Sequence, residues 1–556
     1  GLLDWLEQPR AGYGLRFADE EGGWDVWDYP RLASAVASAA EDIRQMRSRS
    51  EGVVSIVTRT GPEFIAAFFG TLLAGNTPSP LAFPLTMRDR SQYVQHAVAI
   101  LKAADPALVL VDEAVCELLG DATAVAGLAH QPSVLRVRED DATPCPGARA
   151  ELALLQFTSG SSGRPRGVRV TWENIESNVA MIRHWLRWTS EEPLATWLPL
   201  YHDMGLIGGV LTPLVNQTDI WIMRPDQFIR DPLLWLDCFG SRGVAVGVAP
   251  NFGFAYAAKR IADEALVGMD FSRWKAAIVA AERLDPEALG MFAAKLEPHG
   301  FSASGIRPAY GLAEATLAVT GVALATVPRT IRLDWDEARE GQKIIAEDEA
   351  TVSDSERTGS GDGWLVSCGE PHPGVSVTIV DGQGESLPER FLGEVVVEGS
   401  TVASGYSGPS GSSTWFEDGR LHTGDAGFVD QGELFVLGRL GDSIKVRGRT
   451  VFVEDVEARL ATVEGIQKGK CVVLAGTNRD HGCLIALVEA QRGGWVDSVA
   501  TILHSEGAEL SIHVLSAERG TIERTSSGKP RRRVLWQAFL DGSLAAEALY
   551  VSSQDS

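Results

Sequence analysis

The run Leu152-Ala153-Leu154-Leu155-Gln156 passes directly into Phe157-Thr158-Ser159-Gly160-Ser161-Ser162-Gly163-Arg164-Pro165-Arg166-Gly167-Val168, and this junction constrains the chain more than any other stretch. The short apolar run reads as a buried strand. Small residues, hydroxyls and two arginines follow, and Thr171 stands where it can cap a helix. Such a loop lets a polyphosphate come close: glycine removes the Cβ, backbone N–H groups and hydroxyls donate, and arginine supplies charge. The spacing is not that of a Walker A loop. Taken alone, the loop also fits a plain Gly/Ser turn, so the rest of the chain has to decide.

Upstream, residues 53–57 read as a strand and 62–74 as a core helix with Pro62 in its first turn and Gly75 at its end. A second helix is expected over 91–103 and another strand over 107–111. This alternation predicts an α/β large N-terminal domain with layered, mostly parallel sheets plus a β subdomain. A chain of 556 residues has room for a second domain. Gly438-Arg439-Leu440-Gly441-Asp442 reads as the boundary, giving expected domains of 1–439 and 440–556. The second is expected to be a small mobile α+β unit, opening with a hairpin around Gly448-Arg449 and continuing with a helix from 454 and strands at 471–475, 483–488 and 510–514.

The net charge of −24 argues against nucleic acid or an anionic membrane as the main partner. The six cysteines are scattered without metal-ligand spacing, so neither a zinc site nor a disulfide framework is indicated, and reduced thiols in a cytoplasmic protein are expected. The start of the chain lacks the basic and apolar runs of a signal peptide, and the longest apolar stretch, 64–74, is too short to span a bilayer.

Further stretches carry candidate chemistry. Tyr201-His202-Asp203-Met204-Gly205 follows an expected strand, where α/β folds build their sites. Residues 305–316 read as strand, glycine turn and then helix, with Glu314 in the first helical turn. Glu314 there is either a favourable charge near a helix N-terminus or a ligand for Mg²⁺ held against phosphates. Asp425 is expected in a tight loop beside a strand, able to accept two ribose hydroxyls or to act as a turn residue. Residues 325–363 are rich in Asp, Glu, Ser and Gly, and are expected to form a polar, partly disordered surface insertion with few apolar anchors. Lys529 follows Ser526-Ser527-Gly528, which reads as a mobile loop.

The ordered set T-S-G-S-S-G-R-P-R-G-V, L-P-L-Y-H-D-M-G-L-I-G, A-P-N-F, A-Y-G-L-A-E-A-T, L-V-S-C-G, H-T-G-D, G-R-L-G-D and S-S-G-K resembles the adenylate-forming acyl ligases, and most closely their fatty-acyl-AMP ligase branch. The resemblance implies two half-reactions: a carboxylic acid and ATP give acyl-AMP and pyrophosphate, and a thiol of coenzyme A or a carrier-protein phosphopantetheine then displaces AMP. It assigns the phosphate loop to Thr158, Ser159, Gly160, Ser161, Ser162 and Gly163 and adenosine contacts to Ala281, Glu282, Ala309, Tyr310, Gly311 and Leu312. It assigns ribose contacts to Asp425 and Arg439, Mg²⁺ to Glu314, and the adenylation lysine to Lys529, with Arg166 at the position of a loop lysine. His202, Met204, Gly205, Asn251 and Phe252 match the acyl channel, Gly441 the hinge, and Gly448 and Arg449 the thiol tunnel.

Three positions depart from the family pattern: Arg166 for lysine, Ala280-Ala281-Glu282-Arg283 for G-A-E-P, and Gly441 for a charged hinge residue. The second is expected to place a methyl group and a large cation near the adenine. Two alternatives therefore stand beside the full ligase: an enzyme impaired in adenylation that converts a preformed acyl-AMP to thioester, and a non-enzymatic acyl-adenylate-binding module. In the branch the insertion restrains the small domain against coenzyme A; few apolar anchors imply a weak grip here.

Overall fold

Nine strands form the sheet that carries the cleft. From edge to edge they are Glu370–Pro371, Ala318–Gly321, Ile306–Gly311, Ala276–Val279, Val246–Ala249, Leu194–Thr196, Ile220–Ile222, Gly14–Ala18 and Trp24–Asp28. The six from Ile306–Gly311 to Gly14–Ala18 are parallel, and antiparallel strands close both sides. The structure is a computed structural model and describes residues 1–84, 90–138, 142–158, 165–335, 337–354, 356–359, 363–408, 414–446, 449–478, 481–507, 510–525 and 528–552.

A second, wholly parallel sheet orders Thr77–Pro80, Val53–Val57, Leu108–Val111 and Ser133–Val134. The helix Pro62–Leu73 that follows Val53–Val57 buries Phe64, Phe68, Phe69 and Leu72 against Tyr29–Met46, each such side chain contributing about 1.5–3 kcal/mol. Asp28 caps Tyr29–Met46 by accepting from the Arg31 N–H, and Pro30 occupies its first turn. An antiparallel β layer joins Val375–Val380, Gly393–Gly399, Arg420–Asp430 and Trp415–Glu417, with Glu433–Arg439 also on the long strand Arg420–Asp430. Residues 471–551 contribute a four-stranded sheet of Cys471–Asn478, His481–Val488, Ser511–Ala517 and Ala546–Val551. Among the described residues no helix is long and apolar enough to cross a membrane.

The first strand is stitched to the middle of the chain. Leu15 pairs with Ile220, Arg16 forms an ion pair with Asp219, and the Tyr29 hydroxyl donates to the Thr218 carbonyl at 2.6 Å.

Several expectations need correction. The strand Leu152–Thr158 returns as an antiparallel partner, Arg166–Thr171, before the helix Trp172–Trp185 begins. Thr171 does cap that helix, in a reciprocal pair with Asn174. Residues 312–316 do not form a helix. Ala313–Ala315 makes one 3₁₀ turn, and Thr316, at φ +68° and ψ −59°, reverses the chain. The Leu317 N–H bonding the Ala315 carbonyl closes this γ-turn, and the strand Ala318–Gly321 follows. Asp425 lies inside the strand Arg420–Asp430 rather than in a loop.

The polar insertion is also better anchored than its composition implies. Arg329–Leu333, Ala346–Thr351 and Trp364–Val366 form a three-stranded sheet. Ile331, Leu333, Ala338, Ile344 and Leu365 enter one core with Phe428, Phe435, Leu437 and Phe452. The acidic residues pair with arginines: Glu347 with Arg332, Asp348 with Arg357, and Glu349 with Arg390. Apolar anchors spaced two apart in short strands are easily lost in an acidic average.

Candidate active site

The strand Ile306–Gly311 delivers Tyr310 and Gly311 to the C-terminal edge of the parallel sheet, where open α/β folds place ligands. A Cβ on Gly311 would lie 1.9 Å from the Leu317 carbonyl oxygen, so the turn behind it closes only around glycine. Ala309 and Leu312 flank these two and are buried.

Tyr310 reaches across to the β layer and donates its hydroxyl to Asp425 Oδ2 at 2.6 Å. Asp425 and Arg439 face each other in the register of their two strands, and Arg439 Nε lies 2.8 Å from Asp425 Oδ1. Arg439 also donates to Thr414 Oγ1 at 3.0 Å and to the Thr423 carbonyl at 2.9 Å. The Asp425 carboxylate raises the Arg439 pKa, and burial together with the same carboxylate raises that of Tyr310. Each Asp425 oxygen accepts one protein bond and keeps a lone pair for a ligand hydroxyl.

A second group adjoins the first through Thr414. Arg166 is buried and donates weakly to the Thr414 carbonyl at 3.4 Å. Its guanidinium lies 4.0 Å over the Tyr406 ring and 3.8 Å from Glu314 Oε1, which accepts from the Tyr406 hydroxyl at 2.7 Å. The pairing of Tyr406–Ser407 with Arg166–Thr171 brings Tyr406 there. Among the described residues Thr158 Oγ1 and Arg166 Nε are buried without a hydrogen-bond partner. Orphaned donors at this place suit a bound phosphate. Ser159, Gly160, Ser161, Ser162 and Gly163 lie outside the described residues, as does Gly448.

Beside the expected acyl-channel residues, Met204–Leu211 forms a π-helix. Gly205 is its second residue, where a Cβ would lie 2.3 Å from the Pro199 carbonyl oxygen. His202 Nδ1 lies 3.2 Å from Asp203 Oδ1, which also accepts from the Met204 N–H at 2.7 Å. Burial opposes the Asp203 charge, but His202, this N–H and Lys529 together hold its pKa low. Phe252 is half exposed, edge-on to Trp197, and its N–H donates to Glu282 Oε1 at 2.6 Å. Asn251 Oδ1 accepts from the Asp285 N–H at 3.1 Å, so the 281–285 segment is stapled to Asn251 and Phe252 at two points. Ala281 holds φ at +76°, a left-handed conformation that costs an alanine about 1–2 kcal/mol.

Lys529 belongs to a turn closed by Thr525, whose N–H donates to the Lys529 carbonyl at 2.7 Å and whose Oγ1 accepts from the Lys529 N–H at 3.1 Å. The residue keeps an exposed side, yet protein around its ammonium desolvates it and lowers its pKa; Arg439 adds to this, while Asp203, Asp425 and Glu282 oppose it. One ammonium thus senses the charges of Asp203, Asp425 and Glu282. Arg449 is not brought here: it bonds the Glu506 carbonyl at 2.7 Å and carboxylate at 2.9 Å. Arg283 is not beside the cleft either, but turns to Asp455 at 3.3 Å. Tyr406, Thr414 and Thr423 are the site residues that sequence reasoning missed. H-T-G-D contains Thr423, but nothing in the sequence marks the other two.

The profile of the family described as AMP-binding enzyme matches residues 15–407. The chain is 32% identical over 524 residues to the long-chain-fatty-acid–AMP ligase FadD26 of Mycobacterium marinum, covering 86% of this chain and 85% of that one. It is 29% identical over 588 residues to 4-hydroxyphenylalkanoate adenylyltransferase of Mycobacterium tuberculosis, covering 97% and 91%. A solved structure from a study of fatty acyl-adenylate ligases of E. coli and L. pneumophila superposes with a TM-score of 0.85 at 26% identity, covering 97% of this chain and 98% of that one.

Proposed function

Since the chain belongs to the AMP-binding enzyme family, we propose that it is an acyl ligase that joins a carboxylic acid to AMP and passes the acyl group to a thiol. In the first step a carboxylate oxygen attacks the α-phosphorus of ATP, and the bond to pyrophosphate breaks. In the second a thiol sulfur attacks the acyl carbon, the bond to AMP breaks, and the thiol proton is lost to solvent. The observation that carries the reading is the Tyr310–Asp425–Arg439 cluster at the end of the parallel sheet, with Lys529 sensing the charges of Arg439, Asp203 and Asp425. A cation there offsets the charge that builds as carboxylate and triphosphate approach.

The remaining roles rest on the family resemblance together with position. Asp425 accepts the ribose hydroxyls, with Tyr310 and Arg439 fixing the carboxylate. The backbone of Ala309, Gly311 and Leu312, with Ala281 and Glu282, borders the adenosine. Thr158 would contact the phosphates, a role that the family resemblance also gives to residues 159–163. His202, Met204, Gly205, Asn251 and Phe252 line the acid. Glu314 would hold Mg²⁺ jointly with phosphate oxygens, which fits a site of one carboxylate; bound there, the ion would offset triphosphate charge. Residues 440–556 move as a small domain about Gly441, and rotation would bring Gly448 and Arg449 toward the thiol path. The acceptor is coenzyme A or a carrier-protein phosphopantetheine.

Arg166 favours a second reading. Held between Glu314 and Tyr406, it competes with a metal ion for that carboxylate, as expected of a ligase that mainly uses preformed acyl-AMP. Pyrophosphate release from ATP and a panel of fatty and aryl acids separates the two. Acid-dependent release supports the full ligase. Silence with every acid, alongside thioester formation from synthetic acyl-AMP, would support the second reading; silence in both assays would overturn both.

A further inference from the structure

Directly after Glu282 come two charges that the cleft does not use. Arg283 Nη2 lies 3.3 Å from Asp455 Oδ1, and the two side chains are 18% and 10% exposed. The Arg283 guanidinium also lies 5.3 Å from the ring centre of Trp335 in the insertion. Two residues on, Asp285 pairs with Lys468 in the opposite sense. Asp455 is in the helix Val453–Leu460 and Lys468 follows it, both beyond Gly441. Asp285 is fixed in place because it also caps Pro286–Leu296 through the Glu287 and Ala288 N–H groups. Trp335 meets Phe452 edge-on at 6.4 Å, and Glu340 pairs with Lys445 at 2.8 Å, so the insertion touches the same unit.

Two pairs of opposite polarity, two residues apart, select one orientation. A shift that brings Lys468 to Arg283, or Asp455 to Asp285, sets like charges together. We infer that Arg283 is a positioning residue for Lys529: with Asp455, and beside Asp285–Lys468, it forms a crossed-charge latch that holds residues 442–556 with Lys529 facing the cleft. The latch favours acyl-AMP formation over thioester formation. It rests on the proposed ligase reading for its effect on rates, but not for its effect on orientation.

The test measures both. Spin labels on cysteines placed at exposed Val267 and Leu540, in full-length protein with Cys116, Cys145 and Cys471 replaced by serine, report the distance between the two units. Arg283→Glu should broaden the distribution or add a second distance, and Arg283→Glu with Asp455→Arg should narrow it again. Lys468→Glu leaves the Asp285 helix cap intact and should act in the same direction more weakly. In the rate assays Arg283→Glu should raise the ratio of thioester formation from supplied acyl-AMP to acyl-AMP formation by about 5–50-fold, the range of ordinary coupling between states; a purely structural lesion would lower both rates together. An unchanged distribution in Arg283→Glu, or broadening that the charge swap does not reverse, would overturn the latch. A charge-dependent distribution in a protein that makes no acyl-AMP would leave the latch standing and sink the ligase reading.

Discussion

The two walls of the cleft are built by different physics. The large-domain wall is one part-buried network running Tyr310–Asp425–Arg439–Thr414–Arg166–Glu314–Tyr406; every member but Thr414, which directly precedes the strand Trp415–Glu417, is held by a strand pair or the 3₁₀ turn. The wall that carries Lys529 is a turn of a separate unit, set against the cleft by ion pairs and the insertion. The first is preorganised and costs nothing to assemble when ligand arrives. Under the proposed latch, the second depends on an equilibrium between orientations that a change of charge would shift. On the proposed reading, nucleotide affinity belongs to the first wall and the choice of half-reaction to the second.

The contrast is broken most severely at Lys529. Lys529→Ala should lower acyl-AMP formation by about 10²–10³-fold, the scale for loss of one preorganised electrostatic group, while thioester formation from supplied acyl-AMP changes little; parallel measurement of the half-reactions checks this. On the opposite wall Asp425→Ala leaves Arg439 uncompensated, and should destabilise the large domain by about 2–4 kcal/mol, the range for a broken buried pair reduced for partial exposure. Denaturant unfolding reads that loss, and both half-reactions should fall together. The walls also differ in pH response. Desolvation and Arg439 hold the Lys529 pKa below the ordinary lysine value, so the active ammonium is lost as pH rises and the alkaline limb of adenylation comes early. Lys529→Arg should move that limb upward in a pH–rate profile. The smallest effect is at Ala281, where Ala281→Gly relieves the left-handed strain and should raise the unfolding free energy by about 1 kcal/mol.

The same division governs what the sequence revealed. The strand–helix alternation, the Thr171 cap and the order of motifs are local patterns, and local patterns survive folding. The Glu314 segment misled because Gly-Leu-Ala-Glu-Ala-Thr favours helix residue by residue, whereas the γ-turn at Thr316 is imposed by pairing of the next strand. The insertion misled because average polarity hides Ile331, Leu333 and Ile344, whose docking partners lie about a hundred residues away. Arg283 could be recognised as a departure, but its partner Asp455 is an unremarkable helix residue until the two units meet. Tyr406 enters the site only through strand pairing, and Thr414 through its bond to the Thr423 carbonyl beside such a pair, neither of which a short motif encodes.

The pairing of Leu15 with Ile220 has a consequence for synthesis. A ribosome adding about 5–20 residues per second exposes the Gly14–Ala18 strand roughly 10–40 s before its inner neighbour emerges. Through that interval Trp24–Asp28 covers only one edge, and the other presents free backbone donors and acceptors. The earliest hairpin made thus waits about 200 residues for its inner partner, and a nascent chain stalled between these two points carries an open β edge as its main liability to aggregation.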